Sequence, residues 1–202
     1  MNGLNNVKVL FLGSPASPLI EYLKEAGDEV VFTDDDIDLN LVENVSPDFI
    51  ISYGYRHIIA EVIIERYVNR AINLHISYLP WNRGADPNLW SLIENTPKGA
   101  TIHYLDKGID TGDIIVQKKL TFSKDDTLRT SYDKLQYEIQ TLFKENWGRI
   151  STGRCERKKQ NGKGSYHRSG DKKVLNHLLV NGWDTPISVL QHNTHQTNEV
   201  QT

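Results

Sequence analysis

From residue 7 to residue 75 the chain alternates apolar, β-branched runs with amphipathic ones, and that rhythm leaves few folds open to it. Residues 7–12 read as a buried strand that ends at Gly13. Ser14-Pro15 reads as a helix start, with Leu19, Ile20 and Leu23 at helical spacing up to Gly27. A second strand is predicted over 29–33. The acidic turn Asp34-Asp35-Asp36 and a short helix over 37–45 follow it. A third strand is predicted over 48–53, a helix over 58–67 and a fourth strand over 71–75. Strand and helix in this order predict an α/β fold: a Rossmann-like, mostly parallel sheet with helices on both faces.

The pattern changes after His75. A long loop runs to about residue 87, and residues 88–94 have helix spacing through Leu89, Leu92 and Ile93. Residues 98–105 and 113–122 read as strands. The loop between them is too short for a crossover helix, so they are expected to pair antiparallel. Residues 125–150 predict a long amphipathic helix with Leu128, Tyr132, Leu135, Ile139, Leu142 and Phe143 on one face. Over 151–171 the composition turns to Gly, Lys, Arg and Ser, with little that could pack. Residues 174–190 offer the anchors Leu175, Leu178, Leu179 and Trp183. The expected organisation is a catalytic domain over 1–150, an extension over 151–191 packed on it, and a disordered polar tail over 192–202.

Composition narrows the function. Lys+Arg number 23 against 26 Asp+Glu, a net charge of −3, so nothing points to nucleic acid as a partner. The stretch from Arg157 to Lys173 is locally basic, but Tyr166 alone offers an aromatic face there, and a stacking platform needs several. Cys155 is the single cysteine, which fits a reducing compartment. No apolar stretch approaches the roughly 20 residues of a membrane span, and the first residues read as a strand rather than a signal peptide. A cytoplasmic protein with no membrane partner is expected. No His or Cys spacing suggests a metal site. Gly13-Ser14-Pro15 lacks the further glycines of a dinucleotide fingerprint.

Residues 73–113 carry the chemistry. Asn73 and His75 lie two apart on a predicted strand and so share one face. They fall at its carboxyl end, where open α/β sheets bind ligands. Asp110 sits in the loop Gly108-Ile109-Asp110-Thr111-Gly112. An amide can donate to a developing oxyanion. An imidazole can donate or accept near neutrality. A carboxylate can orient the imidazole or relay a proton. The set suits acyl transfer to an amine, which is its own nucleophile. Spacing alone leaves other readings open: a structural histidine, an asparagine closing a turn, an aspartate in a plain turn.

The runs Asn73-Leu74-His75-Ile76-Ser77-Tyr78-Leu79-Pro80-Trp81-Asn82-Arg83-Gly84, Lys98-Gly99-Ala100-Thr101-Ile102-His103 and Asp106-Lys107-Gly108-Ile109-Asp110-Thr111-Gly112-Asp113 resemble the folate-dependent formyltransferase family. The resemblance covers about residues 7–122. It implies the formyltransferase fold, 10-formyltetrahydrofolate as cosubstrate, no metal, and a catalytic trio that falls on Asn73, His75 and Asp110. Tyr55, Arg56 and Ile58, with Ile109 and Asp110, match the donor pocket. His57 reads as a surface histidine, and His103 is not counted as catalytic.

The acceptor follows from two departures. Gly13-Ser14-Pro15-Ala16-Ser17-Pro18 stands where glycinamide ribonucleotide transformylases carry a phosphate loop, and its two prolines remove two backbone donors. The residues after the long helix are too few for the RNA-binding domain of methionyl-tRNA formyltransferases. The loop over 79–90 most resembles the small nucleotide-sugar N-formyltransferases, whose substrates include dTDP-4-amino-4,6-dideoxyglucose and serve lipopolysaccharide O-antigen synthesis. Trp81 then offers a flat face, Arg83 a partner for a diphosphate, and Gly84 close backbone approach. Asn82, Asp86 and Asn88 would bond hydroxyls or amines. Trp90 is expected in the core, and Asp86-Pro87 to open the following helix. The alternatives are glycinamide ribonucleotide as acceptor, or a non-catalytic nucleotide-sugar-binding protein. The resemblance also implies a homodimer through residues 113–122 and the long helix.

Overall fold

The computed structural model describes residues 6–191; the expected disordered tail lies outside them. The elements run β1 (Lys8–Gly13), α1 (Pro18–Glu25), β2 (Glu29–Thr33), α2 (Leu39–Val45), β3 (Phe49–Tyr53), α3 (Glu61–Arg66) and β4 (Ala71–His75). They continue with β5 (Arg83–Gly84), α4 (Pro87–Ile93), β6 (Lys98–Tyr104), β7 (Ile114–Leu120), α5 (Leu128–Ile150) and β8 (Tyr166–His167). Segments of 3-10 helix cover Asp171–Leu178 and Gly182–Asp184. Six strands form one sheet in the order β2-β1-β3-β4-β6-β7, and β5 pairs with β8 separately.

The predicted α/β architecture holds. β1 pairs in parallel with β2 and β3, and β3 with β4. Side-chain parity explains the two layers of helix. Leu10, Leu12 and Ile50 point to one face and pack with Val42 of α2 and Ile63 of α3. Phe49, on the opposite face, meets Trp147 of α5 edge-on, and Phe143 of α5 meets Tyr22 of α1. β6 and β7 form the expected antiparallel pair: Tyr104 N–H bonds Asp113 O at 3.0 Å, while Gly99 lies against Lys118. Leu105 N–H bonds Ala71 O at 2.9 Å.

Helix α1 opens later than Ser14-Pro15 predicts. Two Ser-Pro pairs compete for the start. Ser14 Oγ accepts from Ala16 N–H at 3.2 Å and closes a turn, which leaves Ser17 as the cap and Pro18 as the first helical residue. Gly13 serves the sheet: at φ 145° it lets β1 approach β3, and a Cβ there would lie 2.1 Å from Tyr53 O.

Two compact units emerge. One comprises Met1–His75, Ile102–Val116 and Gln140–Gln160; the other comprises Ile76–Thr101, Gln117–Ile139 and Asn161–Thr202. In the second, α4 buries Leu89, Trp90, Leu92 and Ile93 with Leu128, Leu175, Leu178, Ile187 and Leu190. Leu175 and Leu178 are therefore core, as expected, whereas Trp183 stays 48% exposed.

The segment over 151–171 corrects the expectation that little in it packs. In the first unit, Lys158 and Ile114 exchange both backbone hydrogen bonds, at 2.8 and 2.9 Å. The Arg157 guanidinium lies 4.3 Å over the Tyr104 ring. In the second, Tyr166 and His167 form β8 beside β5. Backbone pairing and a cation over a ring need no apolar sequence, so composition does not announce them.

Candidate active site

In the first unit, the parallel register sets Asn73 of β4 beside Ser52 and Leu74 beside Tyr53, so β3 and β4 end together at the sheet's carboxyl edge. Asp110 joins that edge from the loop after β6. Its carboxylate is the centre of the cluster. Asn73 Nδ2 donates to Asp110 Oδ1 at 2.9 Å. His75 Nδ1 stands 3.6 Å from Oδ2, an ionic distance beyond hydrogen-bond reach. The three residues that sequence and resemblance single out do come together.

A fourth member comes with them. His103 is 1% exposed, and its Nε2 lies 3.4 Å from Asp110 Oδ1 and 3.4 Å from Asn73 Nδ2. Its Nδ1 is 2.8 Å from Tyr104 O, so Nδ1 carries a proton and donates. That assigns Nε2 to the cluster as the nitrogen that gains or loses a proton. His103, not counted as catalytic from the sequence, is thus a contact of the carboxylate. The signal was available: Asn73 and His103 lie on predicted strands, but nothing local says that those strands are neighbours.

The Asp110 loop is built to present its side chain. Asp110 adopts a left-handed φ of 53°. Asp106 Oδ1 accepts from Gly108 N–H at 3.1 Å and from Thr111 Oγ1 at 2.6 Å, bracing the first half. Gly112 presses on the end of β6, where a Cβ would come within 1.8 Å of Tyr104 O. In the same unit, the loop after β3 holds Tyr55, whose hydroxyl donates to Asp35 O at 2.8 Å. Burial, then the Asp36 carboxylate, push that phenol above its usual range. Arg56 and His57 are exposed. Ile58 is 80% exposed and Ile109 45%. Two large apolar side chains left open on the loops at this edge fit a flat heteroaromatic ligand that would cover them.

In the second unit, the loop expected to read the acceptor proves internally braced. Asn82 is fully buried. Its Nδ2 donates to Thr96 Oγ1 at 2.8 Å, and its backbone N–H to Ser165 Oγ at 2.9 Å. Asn88 is 3% exposed and donates through Nδ2 to Leu128 O and Ser131 Oγ at 3.1 and 3.0 Å. Both asparagines are corrected from ligand readers to internal braces, since neither side chain faces solvent. Asp86 caps α4 by position only, at φ 50°, and its carboxylate pairs with Lys172 Nζ at 3.0 Å. Gly84 does permit close backbone approach, but to β8: a Cβ would lie 2.3 Å from His167 O. Trp90 is buried, as expected, and stacks on His167 at 3.8 Å. Trp81 and Arg83 are half-buried. Lys172 and Ser165 were missed because they sit 80 or so residues beyond the loop they hold.

A carboxylate, an amide and two imidazoles on the edge of a parallel sheet are groups of the kind that can move a small acyl group with its proton. The comparisons with known proteins bear on the family. The formyl transferase model matches residues 18–145, and this chain belongs to that family. The formyltransferase PseJ from Anoxybacillus kamchatkensis, solved with UDP-4,6-dideoxy-4-formamido-L-AltNAc and tetrahydrofolate, is 50% identical, with a TM-score of 0.89 over 93% of this chain and 99% of its own. A 4-N formyltransferase from Francisella tularensis shares the fold at 24% identity and a TM-score of 0.73, covering 84% of this chain and 79% of its own. Methionyl-tRNA formyltransferase of Thermodesulfovibrio yellowstonii is 33% identical over 78% of this chain and 56% of its own length. The chain spans little more than half of such curated relatives, at 59% and 56% of the first two. Among the described residues, no group of three or more His, Cys, Asp or Glu is arranged to hold a metal ion, and no helix is long and apolar enough to cross a membrane.

Proposed function

We propose that the chain transfers a formyl group from 10-formyltetrahydrofolate to the amine of a nucleotide-linked amino sugar, with a UDP-linked 4-amino-4,6-dideoxy sugar as its preferred acceptor. The observation that carries this reading is the 50% identity, across nearly the whole of both chains, to an enzyme held with a UDP-formamido sugar and tetrahydrofolate. It moves the nucleotide away from the dTDP example that the loop's resemblance suggests.

The cosubstrate supplies a formyl carbon on nitrogen, activated for attack by an amine. The exposed Ile58 and Ile109 would cover its pterin ring, with Arg56 and the backbone around Tyr55 beside it. The chain's residues do the rest. His75, protonated, donates to the developing oxyanion. Asn73 adds its amide: its 3.4 Å contact with His103 is at the limit of hydrogen-bond reach, so exchanging it for a charged oxygen is favourable. Asp110 stays bonded to Asn73, takes the proton that the amine loses and would return it to the cosubstrate nitrogen as the old formyl C–N bond breaks, with His103 Nε2 beside it to share the charge. Trp81 and Arg83 are retained as acceptor contacts, with Gly84 and Asp86 shaping their loop. A homodimer and a cytoplasmic location belong to the same reading.

The test is release of tetrahydrofolate, with the formamide product identified by mass spectrometry, across UDP-, dTDP- and GDP-linked amino sugars, glycinamide ribonucleotide and methionyl-tRNA. The reading expects the UDP-sugar to have the highest kcat/KM. Turnover of methionyl-tRNA or glycinamide ribonucleotide in preference to every sugar would overturn it. Sugar binding with no tetrahydrofolate released would support the non-catalytic alternative.

A further inference from the structure

We propose that Gln160 is a positioning residue for formyl transfer: its carboxamide fixes the backbone turn that aims Asp110 at Asn73 and the two histidines. This inference rests on the formyl-transfer reading. Gln160 Nε2 donates to Asp110 O and to Gly112 O, each at 2.8 Å. A carboxamide nitrogen carries two N–H groups, so one side chain serves both carbonyls. Those carbonyls bracket Thr111. Asp106 braces the first half of the loop, through Gly108 and Thr111, and Gln160 holds the second half. The residue under the clamp is Asp110 itself, at its left-handed φ of 53°. A side chain keeps such a backbone only when its surroundings over-determine it.

Gln160 is itself delivered by a docked segment. Two residues earlier, Lys158 exchanges both backbone hydrogen bonds with Ile114. One residue before that, Arg157 Nε lies 3.3 Å from Asp113 Oδ2, and its guanidinium covers Tyr104. The carboxamide therefore arrives on a fixed track. Both of these bonds end on backbone carbonyls of the loop, so they act through Asp110 and not on a substrate.

Three variants separate positioning from mere packing: Gln160→Leu and Gln160→Glu remove the donors, and Gln160→Lys keeps N–H donors one bond farther out. Each is assayed for formyl transfer to the best acceptor of the wild-type protein. Amide hydrogen exchange over residues 106–113 is followed in parallel. The expected result is a kcat lower by roughly ten- to a hundredfold in the Leu and Glu variants. KM for both substrates and Tm should stay close to wild type, loop exchange should be faster, and the Lys variant should recover part of the kcat. Unchanged kcat, or unchanged loop exchange, in the Leu and Glu variants overturns the proposal. So does a loss that appears in KM alone, or one equally severe in the Lys variant. If the wild-type protein turns over no acceptor, the formyl-transfer reading fails and takes the catalytic role with it; hydrogen exchange then reports separately whether the clamp holds the loop.

Discussion

Two polar clusters of similar composition behave differently in this molecule. Around Asn82 the bonds are short and fully made, at 2.8 Å to Thr96 and 2.9 Å to Ser165, with the asparagine entirely buried. Around Asp110 one bond is short, at 2.9 Å to Asn73, while both histidines stand off at 3.4 and 3.6 Å. The first cluster has settled its hydrogen bonds and holds a loop. The second gathers an amide and two imidazoles around one carboxylate, close enough to share its charge, which is what proton movement requires. Polar residues in a ligand-like loop are therefore poor indicators of chemistry. A carboxylate on a left-handed residue with imidazoles beside it is a better one.

The contrast can be broken by mutation. The largest effect is expected at His75: His75→Ala should lower kcat roughly a thousandfold or more while Tm barely moves. Steady-state kinetics beside thermal melts check this, and near-normal turnover would remove His75 from the mechanism. His103→Asn should lower kcat roughly ten- to a hundredfold, because Asp110 loses a neighbour without losing its bond to Asn73. Combined with Asp110→Asn, its effect should be much less than additive; strict additivity would mean that the two do not act together.

Asn82→Ala should do the reverse. It keeps the backbone bond to Ser165 but removes the Nδ2 bond to Thr96 and the Oδ1 acceptor of Ser165 Oγ at 3.3 Å, and is expected to cost about 2 kcal/mol, a fall in Tm of roughly 4–8 °C. Turnover of the folded fraction should stay near normal. A large kcat loss in a stable Asn82→Ala protein would return that residue to the substrate loop.

The smallest effect concerns Asp126, which starts the turn before α5. Burial raises its carboxyl, but the Lys134 ammonium at 2.7 Å, with Thr130 and the Ser123 N–H, more than reverses that, so it lies below its usual value. A lowered folded-state value stabilises the fold above the unfolded value of about 4, and the benefit fades as pH falls through the folded value. Asp126→Asn should be less stable than wild type at neutrality, with the gap closing below about pH 4. Melts across that range check it; a constant gap would mean that the ion pair contributes nothing.

Much of this was legible from the residues. The alternation up to His75 specifies the parallel sheet because each run is local. The trio proposed as catalytic was legible through motif resemblance, not spacing. What stayed hidden depends on partners far along the chain. Gln160 lies 50 residues from Asp110, in a stretch with no apolar period, and its two bonds to the Asp110 loop go to backbone, so no complementary side chain announces them. Asn82 and Asn88 read as ligand groups because an exposed asparagine and a buried one have the same letter. The start of α1 was misplaced because Ser14-Pro15 and Ser17-Pro18 carry the same cap signal, and only the turn closed by Ser14 decides between them.

The claim that the Asp110 cluster carries the chemistry is tested most directly by Asp110→Asn. This variant keeps the shape of the side chain and removes its charge. Formyl transfer to the best amino-sugar acceptor is measured by tetrahydrofolate release, with sugar affinity and Tm measured on the same protein. The account predicts that kcat collapses by roughly a thousandfold or more while affinity and Tm hold. An Asp110→Asn protein that still transfers formyl near the wild-type rate would contradict it.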